Sequence, residues 1–211
     1  MSIKEFCGIN LKMNSVKNKK TLIFATSNYN KIIEANKLLN SQTSYNIISK
    51  KDAGIMDEIP ETGKTIEENA IQKANYIYEN YKLDCFAEDT GLIIDALNGE
   101  PGIYSGRYAG EEKNDKKNIK KVLTNLKNKS NRKAGFKTVI ALIMNGELHI
   151  FEGIVEGKII NTPRGETGFG YDPIFVPEGF DKTFAELGTD IKNQISHRAK
   201  AMKKLVDFLI K

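Results

Sequence analysis

A mixed α/β fold, with a central β-sheet flanked by helices and two lobes around a cleft, is what the order of apolar patterns predicts. Three observations carry it. Short β-rich runs alternate with helical stripes early in the chain. Two long strand-like runs follow, joined by Asn145-Gly146, and an amphipathic stripe comes last. Alternation followed by a hairpin is the pattern of a sheet that mixes parallel and antiparallel strands.

The elements follow in order. Thr21–Thr26 (TLIFAT) is an apolar run ending in a polar turn, and Asn28–Asn40 carries Ile32, Ile33, Ala35, Leu38 and Leu39 at helical spacing. Tyr45–Ser49 reads as a second strand, and Asp52–Thr62 as an acidic loop with Pro60. Thr65-x-x-Glu68 is a capping-box pattern that opens a helix to about Tyr81, with Ala70, Ala74, Ile77, Tyr78 and Tyr81 on its buried face. Asp84–Ala87 enters a strand expected to stop at Glu88-Asp89-Thr90-Gly91, and Leu92–Leu97 is a further apolar run. Asn98–Gly106, with four Gly and Pro residues, is a loop. Asp115–Lys127 is an amphipathic helix. Phe136–Met144 and Leu148–Ile160 form a hairpin, because both residues of Asn-Gly accept positive φ. Ser196 caps a helix through about Ile210, with Ala199, Met202, Leu205, Val206 and Leu209 inward. No internal repeat is seen.

With 211 residues, 40% apolar and 28% charged, the chain is long enough for one substantial core. Its net charge of +5 permits polyanion partners, yet much of it is lysine in runs such as KNKK and KNDKKNIKK, which read as solvated faces. Cys7 and Cys85 make no CxxC and no disulfide framework, and Cys85 reads as a buried thiol. No apolar run reaches about 18 residues, so no membrane span is expected. Residues 1–20 are basic and polar, read as a flexible extension rather than a secretory signal, with residues 21–211 as the folded domain.

Three regions hold the chemistry. Thr26-Ser27-Asn28 precedes a helix whose first turn carries Lys31. Backbone N–H groups at a helix N-terminus suit phosphate, although Ser27 or Asn28 acting only as a cap would leave the same pattern. Lys73 follows Asn69 by one helical turn, so both could face one cleft, as could a lysine simply facing solvent. Glu88 and Asp89 end an apolar strand, and a turn at Thr90-Gly91 would let them converge, with Glu61 as a third acid. Hard oxygen ligands of this kind suit Mg²⁺. Lastly, GFGYDPIFVPEGFDKTFAEL and KNQISHR gather Phe169, Asp172, Lys192, Ser196, His197 and Arg198: a ring to stack on a planar heterocycle, with donors and an acceptor for its edge. His197 and His149 lack zinc spacing.

The runs FATSNYNKIIEA, ETGKTIEENAIQKA, AEDTGLIIDALNGEPGIYSGRYAG, GFGYDPIFVPEGFDKTFAEL and KNQISHRAKA resemble, in order from Thr21 to Phe208, the inosine triphosphate pyrophosphatase family. That resemblance implies Mg²⁺-dependent hydrolysis of non-standard purine triphosphates (ITP, dITP, XTP) to monophosphate and pyrophosphate. It also implies a homodimer, and a cytoplasmic role in cleansing the nucleotide pool. Carried onto this chain, it places Thr26, Ser27, Asn28, Lys31 and Lys73 on the triphosphate. Glu61 and Glu88 would stand at the metal, and Asp89 would stand at the metal and activate water. Phe169, Tyr171, Asp172, Lys192, Ser196, His197 and Arg198 would line the base pocket. Ser27 departs from a glycine usual in bacterial relatives, Glu88 from an aspartate, and Tyr171 holds an aromatic position that varies.

A 6-keto base meets a donor that adenine would leave unpaired, whereas rejection of GTP must depend on its 2-amino group. The competing readings are a basic nucleic-acid-binding module and a non-catalytic nucleotide binder. The acids at 61, 88 and 89 argue against the first, so no stable nucleic-acid partner is expected, and the retained Glu61 and Asp89 argue against the second.

Overall fold

The computed structural model of the chain describes residues 20–39 and 42–211. Cys7 and Asn40 lie outside the described residues, as does the expected extension, except that Lys20 opens the first strand. Among the described residues, six strands form one sheet in the order β2-β1-β3-β4-β5-β6. The strands are β1 (Lys20–Phe24), β2 (Tyr45–Ser49), β3 (Cys85–Ile94), β4 (Lys133–Met144), β5 (Glu147–Ile159) and β6 (Phe175–Pro177). β1 is parallel to both β2 and β3, and every later pairing is antiparallel.

Helices α1 (Tyr29–Leu39) and α2 (Ile66–Tyr81) make the two crossovers β1–α1–β2 and β2–α2–β3. The chain steps from β1 to one side and then returns to the other, so the helices cover opposite faces of the sheet. The C-terminal ends of β1 and β3 therefore bound a topological switch point, where open sheets of this kind leave a crevice. α2 begins as the sequence predicts: Thr65 Oγ1 accepts from Glu68 N at 3.0 Å. The Glu68 carboxylate reaches back one residue further than a capping box requires, to Lys64 N at 2.6 Å. In α1, Ala35, Leu39 and Ile32 pack inward, whereas Ile33 is exposed, so the apolar stripe is narrower than its spacing suggests; the Leu38 side chain lies outside the described residues.

The largest difference from the sequence pattern is β3. It does not stop at Glu88; it runs unbroken through Glu88-Asp89-Thr90-Gly91 to Ile94, paired with β4 at every residue. Gly91 is not a turn glycine. A Cβ there would lie 2.6 Å from the Gly102 carbonyl oxygen, so the glycine lets the 102–107 turn press against the strand. The β4–β5 hairpin turns at Asn145-Gly146 with φ of 51° and 85°, as expected.

Three apolar clusters fill the fold among the described residues. One face of β1, β3 and β4 packs on α1 and α5 (His197–Leu209) around the stacked Phe24–Phe86 pair, with ring centroids 4.3 Å apart. The other face packs on α2 and holds the buried Cys85, whose thiol is pushed up to about 12 by burial. The third cluster joins the far end of the sheet to α3 (Asp115–Asn125) and α4 (Phe184–Ile195). α4 was not anticipated, although Thr183 and Glu186 form a complete capping box. The inward set of α5 is as predicted, and Ser196 caps it.

α5 lies against β5 at Gly153, where an added Cβ would stand 2.0 Å from the His197 carbonyl oxygen and 2.5 Å from Ala201 N. Both obstacles are backbone. Gly153→Ala is expected to lower stability by about 3 kcal/mol, as overpacking against a rigid neighbour does, read by urea unfolding. A loss under about 0.5 kcal/mol, the range of an ordinary surface substitution, would show that α5 slides freely on the strand.

Candidate active site

A cleft of about 720 Å³ opens at the switch point. β1 pairs with β3 only at Cys85 and Phe86, so beyond Phe86 the edge of β3 is free on that side. Successive strand residues point to opposite faces, and here the cleft wraps the free edge and takes in both. Glu88 shares the face of Phe86 and Ile140, toward α1 and α5; Asp89 shares that of Ala87 and Val139, toward α2.

Each face carries its own ion network. On the α2 face, Lys73 Nζ lies 2.7 Å from Glu61 Oε1 and 2.9 Å from Asp89 Oδ1, and Arg107 Nη1 stands 3.7 Å from Glu61 Oε2. Burial disfavours the Lys73 charge, but the two carboxylates outweigh it and raise its pKa. Glu61, the most exposed of the three, is held below its ordinary value because Lys73 outweighs its burial. Asp89 is more deeply buried and shares the lysine, so burial wins and its pKa is raised. On the other face, Arg198 Nε donates to both Glu88 oxygens at 2.9 and 3.1 Å, and Arg198 Nη1 reaches Glu34 Oε2 at 2.5 Å. Lys31 Nζ lies 3.1 Å from Glu88 Oε1. Burial of Glu88 is outweighed by Arg198 and Lys31, which hold it ionised below its ordinary value.

The three expected metal-side carboxylates therefore do not converge. Glu61 and Asp89 meet on Lys73, while Glu88 faces away and is saturated by two cations. Among the described residues no three His, Cys, Asp or Glu side chains cluster as a metal cage. The turn supposed to bring Glu88 and Asp89 together is absent because β4 keeps β3 straight. Asn69 does not share the cleft with Lys73 either; its amide oxygen accepts from Gly63 N at 2.8 Å.

Thr26, Ser27, Asn28 and Lys31 line the end of the cleft at the start of α1. Asn28 N donates to Thr26 Oγ1 at 3.1 Å, and Lys31 N to the Asn28 amide oxygen at 3.4 Å, so the turn is capped and still faces the cleft. Elsewhere in the lining, Lys192 Nζ lies 2.6 Å from Asp172 Oδ2 and 4.4 Å from the centre of the Phe169 ring, with Arg198 5.6 Å from the same ring. Asp172 also accepts from Phe169 N at 3.0 Å, so one carboxylate fixes both the ring and the lysine beside it. His197 is buried and stacked on Phe136, with centroids 4.7 Å apart. Its pKa is driven well below the ordinary value by burial and by Arg198 and Lys192, so it is neutral. Among the described residues, its Nδ1 is the buried side-chain polar atom left without a hydrogen-bond partner.

Two of the expected base-pocket residues serve the frame instead. Ser196 Oγ accepts from Ala199 N at the start of α5, and Ser196 is not in the cleft lining. Tyr171 reaches the lining, but its ring is packed in the third cluster and its hydroxyl donates to the Ser105 carbonyl at 2.8 Å. The sequence reading also missed Lys50, Arg107 and Lys113, which add cations to the cleft. Lys50 had a usable signal: it directly follows a strand parallel to β1, and parallel strands end at the same crevice.

Fold and cleft together define an α/β protein whose cleft carries cations to neutralise a polyanion and a ring to grip a planar group. The profile of the Ham1 family matches residues 22–208. A dITP/XTP pyrophosphatase of Flavobacterium johnsoniae is 55% identical over 188 residues, 89% of this chain and 97% of that protein. The dITP/XTP pyrophosphatase of Bacillus subtilis is 49% identical over 90% of this chain and 97% of its own. The solved structure of the Staphylococcus aureus Ham1 protein superposes with a TM-score of 0.84 at 42% identity, covering 90% of this chain and 98% of its own. The chain belongs to the Ham1 family.

Proposed function

We propose that this protein is a nucleoside triphosphate pyrophosphatase that hydrolyses non-standard purine triphosphates (dITP, ITP and XTP) to monophosphate and pyrophosphate. The observation that carries it is the Lys73 bridge between Glu61 and Asp89, with Lys31, Lys50 and Arg107 around the same cleft. The names of the relatives support it independently.

The α1 turn and the cleft lysines receive the triphosphate, and Phe169, Asp172, Lys192 and His197 receive the base. The donor set fits Mg²⁺. Glu61 and Asp89 already gather two hard carboxylates around one cation, and Mg²⁺ takes one or two carboxylates together with substrate phosphates. Bound there, the metal would supply charge neutralisation for the leaving pyrophosphate. Glu88 is better suited to holding Arg198 and Lys31 in place. Asp89, with a raised pKa and a side chain still open to solvent, is placed to orient or deprotonate the water that attacks the α-phosphorus. The neutral His197 and the cations beside Phe169 favour a 6-keto base, because a 6-amino group would leave buried donors unmet.

We also propose a homodimer and a cytoplasmic location. Leu148, Ile150 and Ile154 are exposed on one face of β5 and offer an apolar contact to a second copy, which light scattering would detect. No described helix is long and apolar enough to cross a membrane, and the substrates belong to the nucleotide pool.

Pyrophosphate release from ITP, XTP, GTP and ATP, with Mg²⁺ and with EDTA, tests the assignment. Metal-dependent turnover of ITP and XTP, with GTP and ATP at least about a hundredfold slower as unmet hydrogen bonds in a base pocket produce, is expected. Equal turnover of all four would keep the chemistry and remove the selectivity. No turnover would leave a nucleotide-binding protein.

A further inference from the structure

A groove of about 1040 Å³, separate from the cleft, lies between α3, residues 126–132 and the 161–165 segment. Lys116, Lys120, Lys127, Lys129 and Arg132 line it, and no acid does. Lys117 and Lys121, on other faces of α3, are engaged by Glu112 and by the Tyr108 carbonyl. The side-chain ammonium groups of Lys116, Lys120, Lys127 and Lys129, in contrast, have no ion-pair or hydrogen-bond partner among the described residues. Arg132 is pinned at the edge of the groove, donating to the carbonyls of Leu126, Ile159 and Ile160 at 3.0 to 3.2 Å.

The charge is concentrated as well as unpaired. Residues 113–133 hold nine Lys and Arg against one Asp, an excess of eight, whereas the whole chain has an excess of five. The rest of the molecule is therefore net negative. A basic stripe on an otherwise acidic molecule is an electrostatic footprint rather than a uniform solvated surface. Lys116 and Lys120 are one turn apart on α3, and Lys127 and Lys129 follow beyond its C-terminal end along the same groove. A row of four lysines suits a repeating anion better than one phosphate.

We propose that this groove binds the sugar–phosphate backbone of a nucleic acid strand, independently of base sequence. Its lining has no aromatic residue, so it has no platform for base stacking and reads charge alone. None of the exposed large apolar residues lies in 113–133 or 161–173, so there is nothing to insert into a lipid surface. The acids that argued against a nucleic-acid partner, Glu61, Glu88 and Asp89, line the separate cleft and do not face this groove.

The test is fluorescence anisotropy of labelled 20-nucleotide single-stranded DNA and RNA over a salt series, using the full chain. Log Kd should change with log salt with a slope of about 3, the value for four to five phosphate contacts to a single strand. The variant K116Q/K120Q/K127Q/K129Q should lose most of that slope and bind at least about tenfold more weakly at 50 mM salt, while ITP turnover stays unchanged. A control with the same net charge, K51Q/K82Q/K203Q/K204Q, should bind as the parent does. Equal loss in both variants would assign binding to overall charge and overturn the groove. So would an absent salt slope, or capture of phosphatidylserine vesicles in place of oligonucleotide. Because the readout is binding, it stands or falls apart from the hydrolase assignment.

Discussion

Asp89→Asn is expected to lower turnover of ITP about 10²- to 10⁴-fold, the range of a positioned general base, with little change in KM. The amide keeps the shape and can still accept from Lys73, so the loss reports the missing carboxylate, as base and as metal-side acid, rather than a collapsed site. The pH profile separates the two as well. Burial raises the Asp89 pKa above 3.8, and the ionised form is the competent one. Turnover in the parent should therefore rise with pH along an acid limb displaced upward from that value, and the limb should vanish in the variant. A variant with full turnover, or with the limb intact, would assign the water to another group.

The second large effect is on stability. Arg198→Met removes the partner of a carboxylate whose side chain is fully buried. Breaking such a pair is expected to cost about 3–5 kcal/mol by chemical unfolding, because Glu88 is left with Lys31 alone while Glu34 also loses its partner. The double variant Glu88→Gln/Arg198→Met should lose less than the sum of the single ones, since each change removes the other's unpaired charge. The pH dependence should reverse. In the parent, Glu88 has a depressed pKa, so its contribution is complete above the unfolded value of 4.5 and is lost as pH falls through the folded pKa. Without Arg198, burial dominates and lifts the folded pKa above the unfolded one. Protonation then favours the native state, and the variant should recover part of its loss as pH falls from 7 toward 4.5. A variant that weakens further on acidification would show that Lys31 alone holds Glu88 ionised.

How much of this was legible in the sequence depended on whether the signal was local. Thr65 and Glu68 gave the start of α2, Asn145-Gly146 gave the hairpin, and the spacing from Ala199 to Leu209 gave the buried face of α5, because each rests on neighbours in the chain. Gly91 misled for the opposite reason. The pressure on it comes from Gly102, eleven residues away, and a glycine needed for close approach looks like one needed for a turn. The division of labour between Glu88 and Asp89 was hidden by the same error, since a turn would have joined what a strand separates. Glu34 escaped because what it does is set by a partner at position 198, which no spacing rule connects. The residues carried over by family resemblance mostly line the cleft; Ser196 is the exception.

The unbroken β3 has one more consequence. Ten residues of strand span about 30 Å, and this strand is tied to β4 along its whole length. It forms a floor with no joint in it. Any tightening around a guest must come from the walls: the start of α1, the 57–63 loop and the 168–172 segment. The carboxylate at position 89 is thus a fixed mark, and a guest is fitted to it by those walls rather than by any bend in the strand that carries it.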